Sequence, residues 1–178
     1  MTSDSSSVRG MVYASLLGAA TAAGAYIIIP LPPVPITLQT LFLGLAGTLL
    51  GARLAALSQV VYILLGVIGL PVFAGGKAGL GVLIGPTGGY LVGFVLGGYV
   101  VGKIVEQFEN PKWVVLTLSL VAGFLAVYLM GVIQLSLVAN LPIKTAVVVG
   151  VLPFLIGDTL KIVAAVSITI QLRRRIRL

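Results

Sequence analysis

The sequence predicts an all-α integral membrane protein with six transmembrane helices in one bundle and both termini cytoplasmic. Two observations carry the fold class. Hydrophobic residues make up 59% of the 178 positions and charged residues only 8%, against about 25% charged in an ordinary soluble domain. Apolar runs approaching or reaching the roughly 20 residues that a helix needs to cross hydrocarbon recur six times, set apart by proline, glycine or charge. Nothing is left over for a soluble part, so residues 1–178 read as a single six-helix transmembrane domain.

The first span is predicted over Arg9–Ile29, behind a Ser-rich head containing Asp4 that is expected to be disordered. Ala23-Gly24-Ala25 resembles a signal-peptide cleavage site, but the apolar run continues through Ile27, Ile28 and Ile29, and the helix is read as retained. Pro32, Pro33 and Pro35 make Leu31–Pro35 a stiff extended link, because each proline ring fixes φ. The second span, Ile36–Leu50, is short, as expected of a helix tilted within the protein or partly re-entrant, and Arg53 separates it from the third, Leu54–Leu70. Pro71–Thr87 is a glycine-rich connection holding Gly75, Gly76, Gly79, Gly81 and Gly85. The fourth span, Gly88–Val105, leads into a polar turn with Glu106, Glu109 and Lys112, and the fifth covers Trp113–Leu135. Ser136–Leu152 is mostly apolar and is expected to hold a short helix at the outer surface. The sixth span, Pro153–Leu172, opens on a proline suited to the first turn of a helix.

Six spans put both ends on the same side as the turns at Arg53 and Lys103–Lys112. That side gathers Arg9, Arg53, Lys103, Lys112, Arg173, Arg174, Arg175 and Arg177, while the opposite side holds Lys77 and Lys144. The positive-inside rule then makes the basic side cytoplasmic, with the terminal arginines as its anchor, in a multi-pass protein of the cell membrane. Two of the three outward connections, Pro71–Thr87 and Ser136–Leu152, are long, and irregular backbone near membrane depth is tolerated where it lines a cavity. A pocket opening outward follows.

Several classes of chemistry are disfavoured. The chain has no cysteine and no histidine, which removes thiol nucleophiles, imidazole bases and the common zinc ligand sets. Its four acidic residues offer no paired-carboxylate site, so no catalytic residue, metal site or cofactor is expected. The net charge of +7 comes without an aromatic-interleaved basic face, so no nucleic-acid partner is expected. Gly75-Gly76-Lys77-Ala78 imitates a P-loop, but Pro71 stands where that motif needs glycine and Ala78 where it needs Ser or Thr. The chain is expected to hydrolyse no ATP.

What stands out is Asp158 with Lys161, the charges within the apolar sixth span. An ionisable residue at mid-membrane costs about 2.5–3.5 kcal/mol on insertion scales and usually marks a site or pathway. Three residues apart, the two share a helix face, about 8 and 12 Å below its outer end. A purely structural ion pair is one reading. A site for a neutral polar ligand bearing both N–H and C=O groups is the other, since such a pair does not repay its desolvation without further hydrogen bonds. Thr37 and Gln39 either line the pocket mouth or cap the second helix; Tyr62 and Tyr90 either offer hydroxyls or anchor at the interface. Gln134 and Asn140 are assigned to local hydrogen bonding, and Lys77 to solvent, with attraction of an anion as its alternative. Small residues recur every four positions at Gly89, Gly93 and Gly97 and at Ala14, Gly18 and Ala22, as where helices approach closely. The second stripe fits either packing within the bundle or docking of another membrane subunit.

Four ordered motifs carry a family resemblance across nearly the whole chain: Pro33-Val34-Pro35-Ile36-Thr37-Leu38-Gln39-Thr40; Gly69-Leu70-Pro71-Val72-Phe73-Ala74-Gly75-Gly76; Gly85-Pro86-Thr87-Gly88-Gly89-Tyr90; and Pro153-Phe154 with Gly157-Asp158-x-x-Lys161. The chain resembles the BioY family, biotin-specific membrane subunits of energy-coupling factor (ECF) transporters. The resemblance implies a six-helix capture (S) subunit that takes biotin from outside and works with a membrane scaffold subunit and two cytoplasmic ATPases. It implies that Asp158 and Lys161 hold the biotin head group, with the backbone of Gly75 and Gly76 approaching the ligand and Phe73 and Tyr90 packing on its rings. It also implies docking on the scaffold through Ala14, Gly18, Ala19, Ala22 and Ala23. A capture subunit for another vitamin and a self-sufficient carrier driven by an ion gradient are the competing readings.

Overall fold

The computed structural model describes residues 3–175, and among them eight helices and one two-stranded hairpin. In chain order these are α1 (Ser3–Gly24), β1 (Ile28–Ile29), β2 (Ile36–Thr37), α2 (Gln39–Leu50), α3 (Ala52–Val67), α4 (Leu80–Ile84), α5 (Gly88–Val105), α6 (Trp113–Val138), α7 (Ile143–Gly150) and α8 (Phe154–Arg175). Three of them, α5, α6 and α8, are long and apolar enough to cross a membrane, and α2 and α3 are shorter apolar helices. The outer face of α6 exposes Leu118, Leu125, Leu129 and Leu137, and that of α8 exposes Ile156, Leu160 and Val163. Thr21, Thr48, Ser58, Gln59, Ser119 and Thr169 are buried. Apolar residues outside and hydroxyls and amides inside suit a lipid surround, where every polar group needs an internal partner.

Packing follows the small residues. A Cβ on Gly89, Gly93 or Gly97 would lie 2.3–2.8 Å from the α6 backbone at Met130, Val127 or Gly123, so α5 and α6 meet backbone to backbone along the predicted stripe. α2 occupies the middle of the bundle, touching α1, α3, α5, α6 and α8, and the unbroken run Leu43–Thr48 is buried. Its shortness is that of a helix enclosed by protein.

Four expectations are corrected. The Ser-rich head is helical from Ser3 onward. α1 ends at Gly24, and Ile28 and Ile29 pair with Thr37 and Ile36 in the antiparallel hairpin. Pro30 bars helical backbone at Ile29, while Gly24 lets Phe42 approach to within 3 Å of where a Cβ would stand. The second span accordingly loses Ile36 and Thr37 to β2. The glycine-rich connection also has structure of its own, a short bridge between Phe73 and Lys77 followed by α4. The short helix expected within Ser136–Leu152 is α7, and α6 runs three residues beyond its predicted end. The Pro32–Pro33 peptide bond is cis. Arg177 lies outside the described residues.

The connections gather at two ends of the bundle. At one end the Tyr26 hydroxyl donates to Pro71 O, Gln134 Nε2 to Leu83 O and Gly85 O, and the Tyr90 hydroxyl to Gly150 O at 2.8 Å. Tyr26, just before the hairpin, is thereby tied to the 71–87 segment, that segment to α6, and α7 to α5. At the other end Glu106 Oε1 accepts from Ala52 N–H at 2.8 Å, capping α3, and Arg173 Nη2 donates to Thr48 O at 2.8 Å beyond the end of α2.

Candidate functional site

One turn into α8, the helix turns Asp158 and Lys161 inward, where they are 4% and 6% exposed. Lys161 Nζ lies 2.7 Å from Asp158 Oδ1, the ion pair found among the described residues. Two hydroxyls complete the arrangement. Thr40, in the first turn of α2, donates to Asp158 Oδ1 at 3.1 Å and accepts from Lys161 Nζ at 3.0 Å. Tyr128, halfway along α6, donates to Asp158 Oδ2. Three helices thus converge on one carboxylate, giving it the extra hydrogen bonds that a buried pair requires.

The remaining valences can be counted. An ammonium has three N–H donors; two are used, on Asp158 and Thr40. A carboxylate has about four lone-pair positions, and Lys161, Thr40 and Tyr128 occupy three. One donor and one acceptor remain, side by side.

They border a cavity of about 70 Å³ whose wall includes Thr37, Gln39, Phe73, Tyr90, Tyr128 and Phe154. The apolar side is aromatic: Phe154 lies between Tyr90 and Tyr128, with ring centroids 6.3 and 6.4 Å away. On the opposite side Thr37 Oγ1 donates to Gln39 Oε1 at 2.8 Å, and Gln39 Nε2 donates to the buried Tyr62 hydroxyl. Thr37 Oγ1 also accepts the Gln39 N–H at 3.4 Å, while the α2 N-cap, Leu38, has no side-chain capping bond. Phe73 rests edge-on against Tyr62 at 5.7 Å and 86°, in the space left by Gly66, where a Cβ would fall within 2.5 Å of its ring.

Of the ligand-contact residues read from the sequence, Asp158, Lys161, Phe73, Tyr90, Gln39 and Thr37 meet at this cavity. The Tyr90 hydroxyl is committed to Gly150, leaving its ring on the wall. Gly75 and Gly76 are placed differently. Both have φ near +74° and form the turn between Phe73 and Lys77. The Gly76 N–H is spent on Phe73 O at 2.9 Å. Their neighbours Ala74 and Lys77 line the cavity. Thr40 and Tyr128 were not singled out from the sequence; a tyrosine at mid-span, far from either interface, was the available signal for the second.

The docking stripe divides. Ala14 is 1% exposed, and a Cβ on Gly18 would lie 2.8 Å from Ser58 O of α3, so these two pack inside the bundle and cannot meet another subunit. Ala22 is half-buried, whereas Ala19 and Ala23 are exposed, in line with Ser15.

The whole chain, residues 1–178, matches the model of the BioY family. The chain belongs to this family. It is 42% identical over 167 residues to the biotin transporter BioY of Thermotoga maritima, covering 94% of this chain and 97% of that one. To the probable biotin transporter BioY of Pyrococcus horikoshii it is 37% identical over 159 residues, 89% and 93% of the two chains. Its fold matches a crystal structure of the S-component for biotin from an ECF-type ABC transporter with a TM-score of 0.89 at 29% identity, covering 98% of this chain and 95% of that one. With its apolar helices, this BioY member is a membrane protein.

Proposed function

We propose that this BioY protein is the biotin-capturing subunit of an ECF-type uptake transporter in the cell membrane. The observation that carries the proposal is the Asp158–Lys161 pair, braced by Thr40 and Tyr128, which leaves one acceptor beside one donor at an aromatic-walled cavity. A cyclic urea presents an N–H beside its C=O, and the bicyclic body behind it is apolar. Asp158 accepts the ureido N–H, Lys161 donates to the ureido oxygen, and Tyr90, Phe154 and Phe73 cover the rings. The Gly75–Gly76 turn approaches the ligand through its flanking residues Phe73, Ala74 and Lys77, which line the cavity.

In this reading residues 1–178 form one domain whose six longer helices all cross the bilayer, with both termini cytoplasmic. The distribution of lysine and arginine supports that orientation. The tied connections above the cavity then face outward. The family names and the S-component likeness support partnership with a membrane scaffold and two ATPase subunits, which hydrolyse ATP on this chain's behalf; no cofactor is needed. Docking is assigned to the exposed small residues Ser15, Ala19 and Ala23, with Ala22 at their edge, because Ala14 and Gly18 are spent on α3.

Calorimetric titration of the detergent-purified chain with biotin and with other vitamins tests the proposal. Saturable binding of biotin alone, weakened at least about tenfold by Asp158→Asn through loss of a charge-assisted hydrogen bond, is expected. Binding of a different vitamin, or of none, by well-folded protein rejects it.

A further inference from the structure

Charge balance in the cavity leaves one group over. Among the described residues its wall carries one anion, Asp158, and two cations, Lys161 and Lys77. Asp158 is matched to Lys161, whereas Lys77 forms no ion pair among the described residues. Glu106 is engaged at the opposite end of the bundle, on Ala52, and Glu109 follows it in the turn before α6. The cavity therefore carries a net positive charge, located where the 71–87 segment meets the surface and Lys77 is exposed.

Lys77 is held there by backbone geometry. Phe73 N–H donates to Lys77 O at 3.0 Å, and Gly76 N–H donates to Phe73 O at 2.9 Å. The positive φ at both Gly75 and Gly76, a region open to glycine without steric cost, turns the chain sharply enough for Lys77 to pair with Phe73. The same turn places Phe73 on the cavity wall, 1% exposed. An apolar contact and a cation are thus delivered to the cavity by one five-residue loop.

We infer that Lys77 receives the carboxylate of the ligand whose neutral polar head occupies Asp158 and Lys161. The inference rests on the capture reading and adds to it a specificity: the site takes an elongated monocarboxylate, with a neutral hydrogen-bonding head inside and an anionic tail at Lys77. The inner pair, already neutral, recognises the head by hydrogen bonding; the outer lysine recognises charge.

The test titrates the full chain in detergent, as wild type, Lys77→Ala and Lys77→Arg, with biotin and with its uncharged primary amide, biotinamide. Wild type is expected to prefer biotin over the amide by roughly fivefold or more, as for a partly exposed charge-assisted contact. Lys77→Ala should remove that preference by weakening biotin alone, Lys77→Arg should retain most of it, and added salt should shrink it in wild type. Equal weakening of both ligands by Lys77→Ala would show that the residue shapes the loop and overturn the inference, as would an unchanged affinity for biotin. Those two results leave the capture reading standing. Wild-type protein that binds neither ligand overturns both.

Discussion

Removing the Asp158–Lys161 pair from one side and from both sides has unequal consequences for stability and the same consequence for binding. Asp158→Ala leaves the Lys161 ammonium 6% exposed with Thr40 as its remaining partner. Breaking a buried pair in this way costs about 3–5 kcal/mol, and at about 2–4 °C per kcal/mol for a chain of this length the melting temperature should fall by roughly 6–20 °C. Replacing both, Asp158→Leu with Lys161→Met, removes the uncompensated charge, a change that is neutral or stabilising by about 1–4 kcal/mol. Against that stand the Thr40 and Tyr128 hydroxyls, which lose their acceptor at about 1–3 kcal/mol each. With central values of about 2 kcal/mol gained and about 4 lost, the double variant should lie about 2 kcal/mol below wild type, still above the single one at about 4 below. Thermal denaturation in detergent, followed by size-exclusion chromatography, reads this order, and calorimetry on the same samples should find biotin binding lost in both variants. A double variant that binds biotin with wild-type affinity would reduce the pair to a packing element and refute the site.

Thr40→Val keeps shape and volume but removes the hydroxyl shared by both charges; biotin should bind roughly tenfold more weakly by calorimetry, the low end for a hydrogen bond to a charged group, since the direct 2.7 Å contact survives. In Gly66→Ala the added methyl would stand within 2.5 Å of the Phe73 ring, displacing Phe73 from the cavity wall. Biotin affinity should fall while α3, which gains about 1 kcal/mol of helix propensity, stays helical by circular dichroism. Gly89→Ala places its methyl 2.3 Å from Met130 O, a backbone atom that cannot rotate away. The propensity gain of about 1 kcal/mol is outweighed, and the melting temperature should drop. Glu106→Ala uncaps α3 at Ala52, at the end remote from the cavity. It should cost about 1 kcal/mol of stability and leave biotin affinity unchanged.

What could be read from the sequence tracks what the bilayer forbids. An apolar run in lipid has essentially one way to satisfy its backbone, so the positions of α3, α5, α6 and α8 followed from hydropathy and its interruptions at Arg53, Lys103–Lys112 and Pro153. Where protein replaces lipid, that constraint lapses. Ile27–Ile29 are as apolar as the helix before them, yet Pro30 and the partner strand at Ile36–Thr37 take them out of it, and hydropathy registers neither. The same division runs through the site. Asp158 and Lys161 were conspicuous because charge in an apolar span is expensive, whereas a threonine or tyrosine hydroxyl adds little to a span's cost. Thr40 and Tyr128 became visible only when α2 and α6 were placed against α8.

The small residues of α1 show what a spacing rule leaves open. Ala14-x-x-x-Gly18 and Ala19-x-x-x-Ala23 repeat at the same interval on different faces of one helix. Spacing reports that a backbone can be approached closely on each face; it does not report by what. Ser58 O, 2.8 Å from the missing Cβ of Gly18, settles the first face in favour of α3. Ser15, Ala19 and Ala23 stay uncovered, in a helix whose Ala14, Gly18 and Thr21 are buried against its neighbours. A large residue should therefore act differently at the two positions: Gly18→Leu should unfold the protein by prising α1 from α3, and Ala19→Leu should leave folding and biotin affinity intact while blocking assembly with the scaffold. Co-purification with scaffold and ATPase subunits, set beside biotin titration of the isolated chain, separates these effects, and loss of biotin binding in Ala19→Leu would reject the division of the two faces.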